Sequence, residues 1–426
     1  MNISIFIGRR LSFKDSAGVH NSGSASAGVP IAVGGIALAV IIMMVSISVV
    51  MGFKDEIRKK VTGFSSEVTI YPQSRTLSSI AFIDYTPELA ATLKSVLPDS
   101  RFDGVVELPG ILKTDENFQG VMVKAYQPGA DGFRFIEEYL TDGVMPRALF
   151  PSDSNGVAPQ PKITLSVQTS SKLGLSIGDK VDMHFVSNGA LRTRRAVVSG
   201  LYDTNLGEYD SRFVYASPDL VRSVAKLSDN QVTAIEINGV DERQISSATA
   251  NLSSVLLDFS SRTSGHNIFF VDNVLRSGQA YFSWLDLLDT NVIVILVLMA
   301  LVSGFTIISS LFILILERVR TIGILKSLGA TNRQIRGIFI YMAERLVVCG
   351  LILGNIGGLA IILTQHYLHL IPLDAESYFL SSVPVALCWG AFAALNTAVV
   401  AISAIVLILP SHMIATLAPS ESMRYE

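Results

Sequence analysis

The chain has 426 residues, half of them apolar and only 16% charged, with a formal charge of −3. A soluble protein of this length carries roughly 25% charged residues, so the balance excludes an ordinary soluble globule. The small negative charge, without a long basic tract, argues against a nucleic-acid partner. The two cysteines, Cys349 and Cys388, lie in apolar runs, so the polar part of the chain has no disulfide and depends on its core.

In chain order, a polar N-terminal segment (1–28) leads into a first apolar run at 29–51. That run is too long for a signal-peptide core and no clear small-residue cleavage site follows it, which predicts a retained anchor. Three more runs follow at 289–316, 346–364 and 383–410. Each is long enough to span a bilayer as a helix, and none carries a charge in its middle, which argues against an ion or proton relay. Gly34, Gly35, Gly350, Gly354, Gly357 and Gly358 would let these helices approach closely. The segment 317–345 holds Arg318, Arg320, Lys326, Arg333, Arg336 and Arg345, whereas 365–382 holds no Lys or Arg. The excess of cations marks the former as cytoplasmic. Both termini, 1–28 and 411–426, are then inside, and 52–288 and 365–382 outside.

The region 52–288 has soluble composition. Phe53, Ile57, Val61 and Phe64 after the first run, and Leu275, Phe282, Leu285 and Leu288 before the second, continue apolar stripes at helical spacing and predict two stalk helices. Between them, β-branched and aromatic segments at 68–71, 121–125, 180–185, 196–201, 212–216 and 233–237 predict strands. Helices are expected at 87–96, 217–226 and 243–256, the second capped by Ser217 ahead of Pro218. A Pro/Gly/Ser-rich loop at 152–160 separates two possible lobes. The expected fold is a membrane protein: four transmembrane α-helices plus a large α+β domain inserted between helices 1 and 2.

No nucleophile–base motif, metalloprotease motif or C-x-x-C occurs. His184 and His266 are isolated. His366 and His369 share a helix spacing, but two ligands do not make a metal site. Asp203, Glu208 and Asp210 read as turn chemistry joining two strands.

The segment 317–339, ERVRTIGILKSLGATNRQIRGIF, is more specific. Ile322, Leu325 and Leu328 give one helix an apolar face, and Gly329 can end it in the left-handed conformation. Thr331 then caps a second helix, with Gln334 completing a capping box. The outcome is a tight basic corner at the inner membrane surface, suited to docking another protein.

That segment resembles the signature of FtsX-type permeases, membrane subunits of ABC transporters of the mechanotransmission class. MGFKDEIRKKVTGFSSEVTIYP, GLYDTNLGEYDSRFVYAS, KLGLSIGDKV, FSWLDLLDTN, LDAESYFLSSVPVAL and the terminal SESMRYE resemble lipoprotein-releasing permeases of the LolC and LolE type. The resemblance implies a dimer with a second permease copy or paralogue, served by two separate P-loop ATPase subunits that bind ATP and Mg. No cofactor is expected in this chain, which has no G-x-x-x-x-G-K-[ST] of its own and is not expected to be an enzyme. The implied coupling residues are Glu317, Arg318, Arg320, Gly323, Lys326, Gly329, Ala330, Thr331 and Gln334. Thr321 stands where the family pattern has Glu. The implied location is the inner membrane with 52–288 in the periplasm, and the implied cargo a lipoprotein passed toward a periplasmic carrier. Family members that recruit the carrier do so through a long hairpin hook. The matching place, 186–194, is a short Asn-Gly turn, which leaves carrier recruitment open.

Extracting acyl chains requires an apolar slot, since each exposed CH₂ costs about 0.8 kcal/mol. Val40, Met43, Met44, Ile47 and Met51 of the first span, Ile295 and Met299 of the second, and Phe53, Phe282 and Leu285 of the stalk have suitable side chains. Two other functions fit the same topology: a mechanotransmission-type exporter of peptides or drugs, and a membrane regulator of a cell-wall hydrolase.

Overall fold

The structure is a computed structural model and describes residues 28–73, 81–147, 160–187, 190–262, 268–317 and 319–416. The chain divides into two compact units. One holds the described residues up to Lys54 together with Leu285–Pro372 and the residues from Ser382 onward; the other holds Asp55–Trp284 with Leu373–Ser381.

The elements follow in order. Helix α1 (Gly28–Ser65) precedes β1 (Val68–Pro72), β2 (Ile83–Asp84), α2 (Pro87–Val96), β3 (Arg101–Lys113), β4 (Phe118–Tyr126), α3 (Asp131–Glu138) and β5 (Leu140–Gly143). Next come β6 (Lys162–Ser166), α4 (Val167–Leu173), β7 (Lys180–Ser187), β8 (Ala190–Tyr202), α5 (Gly207–Asp210), β9 (Phe213–Ala216), α6 (Pro218–Ala225), β10 (Gln231–Val232) and β11 (Ala234–Asn238). The chain continues through α7 (Ile245–Arg262), β12 (Phe269–Asn273), α8 (Val274–Ser277), α9 (Gln279–Glu317), α10 (Val319–Ser327), α11 (Asn332–Leu368), α12 (Ala375–Tyr378) and α13 (Trp389–Thr416).

Four helices are long and apolar enough to cross a membrane, over Pro30–Ser65, Gln279–Ile313, Asn332–Leu368 and Trp389–Leu407. Helix α1, with 38 residues, extends roughly 57 Å at 1.5 Å per residue, well beyond a hydrocarbon core of about 30 Å. It stops at Ser66, which takes a positive φ. The third apolar run does not begin a helix of its own. It is the second half of α11, whose first turns are the basic segment from Asn332.

Within the first unit, glycines set the approach of α1 and α11. A Cβ at Gly350 would meet Ile36, one at Gly354 would lie 2.7 Å from Val40 Cβ, and one at Gly358 would lie 3.1 Å from Met44 Sδ. Three glycines four residues apart thus face three side chains four residues apart in the same order, so the two helices run parallel. This is the small-residue packing that membrane helices use in place of a hydrophobic driving force. Gly52 fills the same role near the end of this stretch of α1, where a Cβ would come within 2.7 Å of the Pro384 carbonyl group. Ser48 and Ala386 add two hydrogen bonds there, Ser48 Oγ to Ala386 O at 2.8 Å and Ala386 N to Ser48 O at 3.0 Å.

In the second unit, the strand pairings form a closed ring, β3–β4–β9–β6–β8–β7 and back to β3. Alternation puts Val106, Leu108, Leu112, Val121, Val123, Ile163, Leu165, Val181, Met183, Phe185 and Val198 into one apolar core, which α6 covers with Leu220, Val221 and Val224. On its far edge β3 also pairs with β11, which carries β1 and then β12. The predicted strands and helices fall within these elements or overrun them by one or two residues at an end. Two predictions need correction. Ser217 occupies the N-cap position of α6, but its hydroxyl makes no cap bond and is buried without a hydrogen-bond partner among the described residues. The 13-residue strand β3 was not expected, because Gly104, Pro109 and Gly110 interrupt its β-forming pattern. The loop predicted at 152–160 lies, but for Gln160, outside the described residues.

Candidate functional site

The corner between α10 and α11 has the geometry its residues dictate. Ile322 is buried and Leu325 half-buried, both packed with Ile335, Ile338 and Phe339 of α11. The α10 turn closes with Gly329 N donating to Lys326 O at 3.0 Å and Ala330 N to Leu325 O at 2.9 Å. Gly329 has φ +89°, and no atom stands within 4 Å of where its Cβ would be, so the requirement for glycine here is purely one of backbone conformation. Thr331 then caps α11. Its hydroxyl accepts from Gln334 N, while its own N–H donates to Gln334 Oε1 at 2.9 Å, which completes the capping box.

The structure corrects one element of the expected face. Leu328 does not join Ile322 and Leu325 in the core but is 78% exposed, and its neighbour one turn back, Ile324, is 53% exposed. The corner therefore buries one apolar edge and exposes another, and Arg333, at the start of α11, is exposed as well. Gly323 is buried, Lys326 and Ala330 half-buried, and Thr331 and Gln334 exposed. Glu317 ends α9 and Arg320 lies in α10; Arg318 and the side chains of Glu317 and Arg320 fall outside the described residues.

Residues 293–419, the span that contains this corner, match the model of the FtsX-like permease C-terminal domain. The curated relatives extend the match to nearly the whole chain. The lipoprotein-releasing system transmembrane protein LolC of Neisseria meningitidis serogroup B is 24% identical over 93% of this chain and 94% of its own. LolC of Xylella fastidiosa strain Temecula1 is 20% identical over 92% of each. The transmembrane protein LolE of the same system in Haemophilus influenzae is 22% identical over 91% of this chain and 92% of its own. The chain thus carries an FtsX-like permease C-terminal domain over 293–419 and is similar along nearly its whole length to lipoprotein-releasing transmembrane proteins. Among solved structures, the extracellular domain of the noncanonic ABC-type transporter YknZ from Gram-positive bacteria aligns with 48% of this chain and 99% of its own. The identity is 14% and the TM-score 0.30, too low to support an argument.

The residues expected to line an open apolar slot are not one surface. Val40, Met43 and Met44 are instead buried in the helix core, because the glycines of α11 draw that face of α1 inward. Ile47 is half-buried and Met51 exposed on α1; Ile295 and Met299 are half-buried on α9. Phe53 and Leu285 are buried and Phe282 half-buried. Other apolar side chains of α9 are exposed, at Ile293, Val294, Val297, Leu298, Leu301, Val302 and Phe305, as are several on α11 and α13, among them Ile352, Ile356 and Ile405.

Sequence reasoning missed two polar arrangements. Asn355 of α11 and Asn396 of α13 exchange hydrogen bonds inside otherwise apolar helices. Lys60, on the segment predicted as the first stalk helix, is buried, and its ammonium donates to Thr204 O at 2.6 Å and Phe379 O at 2.9 Å within the second unit. The expected apolar stripe shared by Ile57, Val61 and Phe64 was the available signal. Lys60 lies one residue before Val61 and three after Ile57, on the covered side of a helix whose other side leaves Asp55 and Lys59 exposed.

Proposed function

We propose that this chain is the permease subunit of an ABC transporter that extracts lipoproteins from a bacterial inner membrane for delivery toward the outer membrane. ATP is hydrolysed on two separate P-loop subunits, and a second permease, a copy or a paralogue, completes the membrane part. The observation that carries the reading is the relation to lipoprotein-releasing transmembrane proteins along nearly the whole chain. The orientation follows from the cations of 317–345 and their absence from 365–382: termini in the cytoplasm, 52–288 in the periplasm.

The corner is the element through which the ATPase acts. It is held by a capping box and a positive-φ glycine, so it moves as a rigid piece at the head of α11, and it offers Ile324 and Leu328 as an exposed apolar edge. Small apolar anchors within a charged rim suit a protein interface. The acyl slot is assigned to the exposed side of α9 and to Met51, with Val40, Met43 and Met44 acting as the packing behind it.

The test is co-purification in mild detergent. Ile324→Asp with Leu328→Asp places charge on two exposed side chains, so folding and membrane insertion stay intact. The double variant is expected to lose the ATPase subunit that the unaltered chain recovers. Equal recovery of the ATPase by both would remove the corner from the coupling role.

A further inference from the structure

Part of the chain between α11 and α13, Leu373–Ser381, belongs to the second unit, although both helices belong to the first. Phe379 is its anchor. The Phe379 ring meets Tyr281 and Trp284, at the start of α9, edge-on with centroids 5.6 and 6.2 Å apart, and the next residue, Leu380, is buried. Phe379 takes φ +61°, a conformation that a residue with a side chain keeps only where its surroundings hold it. Its carbonyl accepts at 2.9 Å from the ammonium of the buried Lys60. The same ammonium donates to Thr204 O at 2.6 Å. Thr204 is itself fixed, its N–H and hydroxyl donating to the Asp210 carboxylate at 3.2 and 2.7 Å. One lysine thus joins the first stalk helix, the 203–210 turn and the 373–381 segment. Both acceptors are main-chain carbonyls, and a charged donor makes such bonds about twice as strong as neutral ones.

The neck of this segment is tied to the end of α11. Gln365, buried in the last turn of α11, accepts from Ile371 N at 3.1 Å and donates to Val383 O at 3.0 Å. Beyond it, Leu373 N donates to Ser381 O at 3.0 Å. The chain leaving α11 therefore has little slack before it reaches Phe379. At its other end α11 begins in the capped corner at Thr331.

We propose that Lys60 and Phe379 are positioning residues that fasten the outer end of α11 to the second unit, so that a displacement of α11 begun at the corner reaches that unit through the 373–381 segment as well as along the stalk helices. The segment then moves with the second unit through the ATP cycle. The 203–210 turn gains a task beyond joining two strands, since it supplies the carbonyl that holds Lys60 in place. The inference rests on the reading of the corner as the ATPase contact.

Distances between spin labels test it in the full-length protein, in a background without Cys349 and Cys388. Labels at Ser377→Cys and Ser254→Cys occupy two exposed positions of the second unit. This pair is expected to show one narrow distance distribution, the same in the permease alone and in its ATPase complex trapped with vanadate. Lys60→Met should enlarge the detached population about tenfold, the worth of one charge-assisted hydrogen bond. Phe379→Gly, which keeps Lys60 and Thr204 and suits the positive φ, should enlarge it too. A second pair at Ser223→Cys and Ser254→Cys, on α6 and α7, reports whether the fold is intact, and Phe379→Gly decides the matter if Lys60→Met disturbs that pair. In reconstituted complexes both variants should still hydrolyse ATP while the lipoprotein released per ATP falls by a similar factor. An unaltered complex that releases no lipoprotein would refute the cargo assignment alone, because the distances do not depend on cargo. The inference is overturned if the distance between 377 and 254 shifts on trapping, if Phe379→Gly leaves its distribution unchanged, or if the variants release as much lipoprotein per ATP as the unaltered protein.

Discussion

Asn355 and Asn396 hold α11 and α13 together through a reciprocal amide pair. Asn355 Nδ2 donates to Asn396 Oδ1 at 2.7 Å, and Asn396 Nδ2 donates to Asn355 Oδ1 at 3.0 Å. Each amide also donates back to its own helix, to Leu351 O and Phe392 O, both at 2.8 Å. Every N–H of the pair has an acceptor, which is the condition for keeping an amide among apolar side chains. Replacing one partner by Leu leaves the other with an unmet carbonyl and donor, whereas replacing both removes the demand. The expected coupling in a double-mutant cycle is about 0.6–2 kcal/mol. Unfolding of Asn355→Leu, Asn396→Leu and the double variant in bicelles measures it. Strictly additive losses would mean the two amides act alone.

Gly329 separates backbone from packing. Its φ of +89° is the constraint, since a Cβ there would meet nothing. Gly329→Val should strain the corner by on the order of 1–3 kcal/mol, and Gly329→Asn by less, because Asn tolerates positive φ. ATPase stimulation by the two variants should fall in that order, with membrane insertion unchanged. Equal activity in all three proteins would show that the turn does not need this conformation.

Asp210 gives the second unit a pH dependence. Burial pushes its carboxyl up to about 6 from an ordinary 3.8, against the hydrogen bonds it accepts from the hydroxyl and the N–H of Thr204. A carboxyl raised in the folded state binds its proton more tightly there than when unfolded. It therefore contributes stability that is complete below about pH 4 and is lost as pH rises through about 6, in total about 3 kcal/mol. Melting midpoints between pH 4 and 7 should fall less steeply in Asp210→Asn than in the unaltered protein. Parallel curves would show that this carboxyl does not titrate in that window.

Orientation is tested by thiol labelling in a background without Cys349 and Cys388. Ser377→Cys should react with an impermeant reagent added to spheroplasts, and Ser327→Cys only after the membrane is opened. Both serines are exposed side chains, so access is limited by the membrane and not by the fold. Labelling of Ser327→Cys in sealed spheroplasts would reverse the topology.

The four apolar helices and the α10–α11 corner were legible because their signals are local: continuous apolar runs, Gly329, and Thr331 three residues before Gln334. The closed ring of strands was not, since its closure depends on β3 reaching β7 and β6 reaching both β8 and β9, pairings that no short window contains. Asn355 and Asn396 are 41 residues apart and become a pair only when α11 and α13 pack. Lys60 and Lys124 look like surface cations in sequence. Their burial follows from elements around them, the first at Thr204 and Phe379, the second at Phe64 and Glu236. Val40, Met43 and Met44 suit an open slot in sequence for a related reason. A Met-rich helix face reads alike whether it meets lipid or a row of glycines, and only the position of α11 decides.

Whether this chain, with an ATPase, lifts lipoproteins out of a membrane is measured directly by reconstituting the permease with its co-purifying ATPase and any paralogous permease into liposomes loaded with a triacylated lipoprotein. A soluble lipid-binding carrier is added outside, and the lipoprotein found in the soluble fraction is counted with ATP and with a non-hydrolysable analogue. Release that requires hydrolysis and is lost in the Ile324→Asp, Leu328→Asp variant is the result expected. ATP-driven movement of a soluble peptide or drug, with the lipoprotein left in the bilayer, would contradict it.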